Sequence, residues 1–246
     1  MVDKQPSGAL PVRFPSTHWS QIAEAGDLAA PGARDSLAEL CQVYWYPLYL
    51  FIRRRGFPAD ESGDLVQDYF ARLVSGRVLR SADRSKGRFR TFLIADCKRF
   101  LSHERARNRA QKRGGDLQIV SIDTRAADGR YLEEPGHDLT PERLYQRAWA
   151  LTLLETVLSR LRSEYELAGN GAVFRRLKEV LSGGPDSIPY ASIASDLGTT
   201  EGAIQVAVHR LRKRYGFLLR EQIQATVTEP AEVEDEIREL FAALAT

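Results

Sequence analysis

The sequence predicts an all-α protein: two helical domains joined by a linker, the second containing a helix-turn-helix. Apolar residues recur at helical spacing in segment after segment, and no stretch alternates apolar and polar residues as a half-buried strand does. The third observation is local: Tyr190 to Arg214 sets two amphipathic periods on either side of a glycine turn. Ile193, Ala194 and Leu197 form the apolar face of the first helix, Gly198 makes the turn, and Thr199 or Thr200 can cap the next helix through a side-chain oxygen. Ile204, Ala207, Val208 and Leu211 pack that second helix back onto the first. Its opposite face carries Gln205, His209, Arg212, Lys213 and Arg214, groups that can reach base edges and phosphates from a major groove.

The other elements follow in chain order. Residues 1–32, with Pro6, Pro11 and Pro15, read as an N-terminal arm in which Thr17 can cap a short helix bearing Trp19 and Ile22. The first domain is expected at 33–113. Its opening helix, from Ala33 to Arg55, repeats Leu37, Leu40, Cys41, Tyr44, Leu48, Phe51 and Ile52, and Pro47 is expected to kink it by removing one internal hydrogen bond. Gly56-Phe57-Pro58 stops that helix, and the next runs from about Ala59 to Val74. Asp60, Glu61 and Asp64 suit the positive end of its dipole, while Leu65, Val66, Tyr69, Phe70 and Leu73 turn inward. A third helix, about Phe89 to Arg109, draws core contacts from Phe92, Leu93, Ala95, Phe100 and Leu101 and carries a dense set of cations.

Residues 114–139, rich in Asp, Gly, Arg and Pro, read as the linker, and the second domain is expected at 140–222. Thr140-Pro141-Glu142 is a helix start, with a cap, a proline at the first helical position and an acid in the first turn. That helix reaches about Leu167, Gly169-Asn170-Gly171 ends it, and another spans roughly Ala172 to Leu181 before the glycine-turn pair. Residues 223–246 form an acidic C-terminal helix opening at Thr228-Glu229-Pro230, with an apolar stripe of Val233, Ile237, Leu240, Phe241 and Leu244.

A net charge of +2 conceals segregation: Arg80 to Arg113 is strongly basic and Glu229 to Glu239 nearly all acidic. That pattern favours nucleic-acid contact at one part and an interaction tail at the other. Cys41 and Cys97 have no metal-site or disulfide spacing and read as buried thiols. His18, His103, His137 and His209 lie far apart, without a nucleophile elbow, phosphate loop or ligand cluster. No catalytic residue, metal or cofactor is therefore expected. Neither a signal peptide nor a membrane span is visible, so the expected location is cytoplasmic, with no membrane partner.

Taken together, the chain resembles the extracytoplasmic-function (ECF) type of sigma-70 family RNA polymerase sigma factor. Asp60 to Phe70, containing Asp64-Leu65-Val66-Gln67, is similar to the acidic helix of sigma region 2. Gly87 to Leu101, with its basic continuation to Arg113, resembles the helix that follows, and Tyr190 to Arg214 resembles the helix-turn-helix of region 4. The resemblance implies a promoter-specificity subunit whose partners are bacterial core RNA polymerase and promoter DNA. It places polymerase docking on Asp60, Glu61, Asp64, Gln67 and Asp68, supported by Leu65. It places minus-ten DNA on Arg88, Arg90, Lys98, Arg99, His103 and Arg107, with Phe89, Phe92 and Phe100 as aromatic neighbours. Minus-thirty-five DNA falls to Thr200, Glu201, Gln205, His209, Arg212 and Lys213, with Gln205 the candidate for an adenine edge. The chain departs from the common pattern in a longer stretch between Leu154 and Tyr190, an N-terminal arm and the acidic C-terminal helix.

A stand-alone helix-turn-helix regulator is the competing reading; it has no use for the acidic face from Asp60 to Asp68. The sequence leaves open whether an anti-sigma factor or a protein kinase also acts on the chain. Ser62, among Asp60, Glu61 and Asp64, is a candidate phosphorylation site. The acidic C-terminal helix is expected either to fold back on a basic surface or to cap the region 4 core.

Overall fold

The computed structural model describes residues 33–75, 78, 88–111, 139–182, 188–224, 227 and 230–245. The arm and short helix expected before residue 33, most of the linker, Lys112 and Arg113 lie outside them. Among the described residues there are eight α-helices and no strand: α1 (Ala33–Arg54), α2 (Ala59–Val74), α3 (Phe89–Gln111), α4 (Pro141–Leu167), α5 (Gly171–Ser182), α6 (Tyr190–Leu197), α7 (Glu201–Gln224) and α8 (Val233–Leu244).

Local chemistry sets the boundaries. Pro58 precedes α2 with extended backbone and supplies no side-chain cap, so the first turn relies on Asp60 and Glu61 to offset the exposed amides. At α4 the Thr140 hydroxyl accepts a hydrogen bond from the Arg143 amide at 3.3 Å, with proline directly after the cap. The helix α1 runs through Pro47 without a break. The helix α7 extends ten residues past the basic face ending at Arg214, because Leu218, Leu219 and Ile223 continue its buried stripe. The tail opens as a short 3-10 turn, Pro230–Glu232, and α8 begins only at Val233; Thr228 and Glu229 lie outside the described residues.

Between α6 and α7 the chain turns in three residues. Gly198 holds φ at +62°, in the left-handed region, and the Thr199 amide reaches back to the Ala194 carbonyl at 2.9 Å. A Cβ at Gly198 would meet nothing within 4 Å, so substitution costs backbone strain alone. Gly198→Ala is expected to destabilise the protein by about 1 kcal/mol. Urea denaturation checks this; an unchanged midpoint would contradict it.

The helix α4 organises the packing. Its first half meets the N-terminal helices: Tyr145 lies edge-on to Phe51 of α1 at 6.4 Å, and its hydroxyl donates to the Arg90 carbonyl at 3.1 Å. Arg54 Nε donates to the Leu139 carbonyl just before α4, at 3.0 Å. Its second half meets the later helices, through Tyr165 against Phe174 of α5 at 5.5 Å and Arg160 with Glu221 of α7 at 3.1 Å. The groups of helices drawn as two domains in the sequence therefore share α4 and one continuous core, which includes Tyr44, Phe51, Trp149, Leu161, Leu211 and Leu240. Each buried aliphatic or aromatic side chain contributes about 1.5–3 kcal/mol, against about 0–1 for an exposed ion pair, so apolar packing along α4 dominates.

Candidate nucleic-acid interface

On α2 the apolar residues and the carboxylates separate as the 3.6-residue period requires. Leu65, Val66, Tyr69 and Phe70 are buried; Asp60 and Asp64 are exposed; Glu61, Gln67 and Asp68 are half-buried. Among the described residues the Asp60, Glu61 and Asp64 carboxylates have no ion-pair or hydrogen-bonding partner. Burial raises the Asp68 pKa against the opposing pull of Arg107, and the neighbouring Asp64 charge adds to the rise. The expectation for Ser62 needs correction. Its side chain is fully buried and its hydroxyl donates to the Phe57 carbonyl at 3.3 Å, because the position falls on the inward face of α2. A kinase could reach it only after that turn opened.

The cations of α3 fall into two kinds. Arg99 pairs with Asp96 at 3.1 Å and Arg107 with Glu104 at 2.7 Å, both at i,i+3 spacing with the arginines largely exposed. The arginines are accessible to a phosphate, but the Asp96 and Glu104 side chains are only 15% and 10% exposed, so an arginine that leaves would strand a largely buried carboxylate. His103 is exposed, without a partner among the described residues. The others are tied to distant helices: Lys98 pairs with Glu142 of α4 at 2.8 Å, and Arg88 and Arg90 pair with α8. Arg90 corrects the expectation most sharply. It is only 4% exposed, its Nη1 and Nη2 donate to Glu236 and Glu239 at 2.6 Å, and its guanidinium lies 4.4 Å from the Trp149 ring centroid. As folded, it presents no surface to DNA. Phe89 and Phe100 are buried in the core and Phe92 is half-buried beside Phe89.

The helix α7 carries its expected residues outward. Thr200 caps it, accepting from the Ala203 amide at 3.3 Å. Glu201, Gln205, His209, Arg212 and Lys213 are exposed, and the side chains of Gln205, His209 and Lys213 have no partner among the described residues. Arg212 is partly engaged, donating to the Val180 carbonyl of α5 at 3.3 Å. Arg214 is held by Glu164 of α4 through two bonds of 2.7 and 2.6 Å. The exposed cation Arg210, which the sequence reading did not single out, shares this helix; its intervening position between His209 and Arg212 was the available signal.

The Glu164–Arg214 pair makes stability depend on pH. The hydrogen bond from Arg214 lowers the Glu164 pKa, overcoming the effect of burial, with the Arg214 and Arg160 charges assisting. Lys98 lowers Glu142 in the same way, again chiefly by hydrogen bonding. A depressed carboxyl stabilises the fold fully above its unfolded value, and that contribution disappears as pH falls through the folded value. The stability difference between the natural chain and Glu164→Gln should therefore shrink as pH is lowered from 7 through the ordinary glutamate range and below. Denaturation midpoints across that range test it; a difference independent of pH would contradict the assignment.

Among the described residues no group of three or more His, Cys, Asp or Glu is placed to hold a metal ion. No described helix is long and apolar enough to cross a membrane. Cys97 is buried, which pushes its thiol up to about 12 and leaves it unreactive at neutral pH.

The described residues thus form an all-helical frame with exposed carboxylates on α2 and an exposed face of mixed amide and cationic groups on α7. The family model described as ECF sigma factor matches residues 53–168, a little under half the chain, from the end of α1 through α4. That match supports an ECF sigma-70 family sigma factor, a family whose members direct promoter-dependent transcription initiation together with RNA polymerase. No curated protein and no solved structure matches it.

Proposed function

We propose that this chain recognises promoters by dividing the work among three helices. The α2 carboxylates dock on core RNA polymerase, α3 holds the melted minus-ten strand, and α7 reads minus-thirty-five duplex. The observation that carries this reading is that the Asp60 and Asp64 carboxylates have no partner among the described residues, in a segment that lies inside the family match. Elsewhere the structure ties acids to arginines, as at Glu164 and Glu236. Exposed anions without internal partners suit a basic protein surface, where they speed encounter and set register. On α7, the Gln205 amide has the donor–acceptor pattern that pairs with adenine, and Lys213 suits phosphate. The side chains of α2, α3 and α7 supply binding and position; the polymerisation chemistry belongs to the partner.

In-vitro transcription from fragments of the cognate genome, with core polymerase alone and with this chain added, tests the reading. New, discrete start sites are the expected result. Protection of promoter duplex by the chain alone, without transcription on adding polymerase, would favour a stand-alone regulator.

A further inference from the structure

We propose that α8 is a built-in competitor for DNA: Glu236 and Glu239 occupy Arg88 and Arg90 in the free protein, and single-stranded promoter DNA displaces the helix from them. This rests on the assignment of the α3 cations to the minus-ten strand. The geometry is that of a substituted ligand. Arg88 pairs with both carboxylates, through Nε to Glu236 at 2.8 Å and through Nη1 to Glu239. Arg90 likewise engages both, at 2.6 Å each. Two forked guanidiniums, each gripping more than one anionic oxygen, form the arrangement that phosphates also satisfy.

A guanidinium as buried as Arg90 cannot remain without an anion, so α8 leaves most readily when another anion takes its place. The exchange keeps each guanidinium paired with an anion. DNA gains over α8 because the same strand can also meet Arg99, His103 and Arg107, which are exposed along α3. The seam under α8 is suited to opening. On the α3 side it is held by charged groups, and a cleft of about 400 Å³ runs between α8 and α3–α4, lined by Arg90, Thr91, Arg143 and Glu239. Leu240 anchors the other side, fully buried, with Val233 also buried. At 12 residues α8 is too short to remain helical once detached. By linkage, whatever holds α8 down weakens DNA binding by the same factor that DNA weakens α8.

The test uses the full chain and a fluorescein-labelled single-stranded oligonucleotide of mixed sequence, followed by anisotropy over a range of salt. Glu236→Gln with Glu239→Gln is expected to tighten binding about tenfold and to steepen the salt dependence by about two phosphate contacts. If that variant binds no more tightly while Arg88→Gln with Arg90→Gln weakens binding, competition is overturned and the α3 assignment survives. If the arginine changes have no effect on binding in the E236Q/E239Q background, the α3 assignment itself fails. Hydrogen exchange on the unsubstituted chain needs no variant to fold. Amides of 233–244 should lose protection at saturating oligonucleotide; unchanged or increased protection overturns the proposal.

Discussion

Replacing Arg90 with methionine is expected to destabilise the protein by about 3–5 kcal/mol, the cost typical of breaking a buried ion pair by removing one partner, with Arg88, which still pairs with Glu236, placing the value toward the lower end. Glu236, its main partner, is 1% exposed and cannot recover solvent without moving α8. Burial already raises the Glu236 pKa, with the Arg90 and Arg88 charges opposing the rise, so loss of Arg90 favours its protonation and limits the penalty. Glu239 behaves differently: burial works against its ionisation, but hydrogen bonds from Arg90 and Arg88 outweigh it and lower its pKa. The double change R90M/E236M should recover most of the loss, since methionine packs on the Trp149 ring and neither charge remains buried. For a chain of this size each kcal/mol moves Tm by about 2–4 °C, so R90M should melt roughly 6–20 °C lower. Calorimetry on the single and double variants decides it. A single-variant loss under about 1 kcal/mol would mean that the cluster acts as an ordinary surface network.

The second large effect is functional. Asp64→Lys is expected to weaken association with core polymerase about thirtyfold, corresponding to roughly 2 kcal/mol for reversing one charge at a complementary contact. Melting should hardly change, because Asp64 is exposed and has no internal partner among the described residues. Asp60 is a poorer choice, since it lies in the first turn of α2 and its reversal would also weaken the helix through the dipole. Affinity measured by fluorescence on labelled chain, with melting as the control, separates docking from folding. Equal affinity for both forms would remove Asp64 from the contact.

How far these features were legible in the sequence depended on the range of the interaction concerned. The α4 start was readable because Thr140, Pro141 and Glu142 act on their own neighbours, and the turn at Gly198 because one residue must adopt positive φ. The inward and outward faces of α2 followed from helical spacing, except at Ser62, which lies buried on the inward face. Arg90 was misplaced because its carboxylate partners stand 146 and 149 residues away, and a cation in a basic run looks the same whether solvated or buried. Charge segregation pointed to the acidic tail without showing which basic surface it would meet. The shared core was hidden for a related reason. Both ends of α4 bury residues, Leu144 to Trp149 toward the N-terminal helices and Val157 and Leu161 among the later ones, so no single apolar stripe marks it as a bridge.

The central claim, that this chain is a polymerase subunit presenting α2 to the core enzyme, is tested most directly by analytical size-exclusion of the full chain with bacterial core RNA polymerase at low salt. Co-elution with the polymerase at one-to-one stoichiometry, lost on Asp64→Lys, is the result the account predicts. Separate elution of the folded natural chain and the polymerase would contradict it.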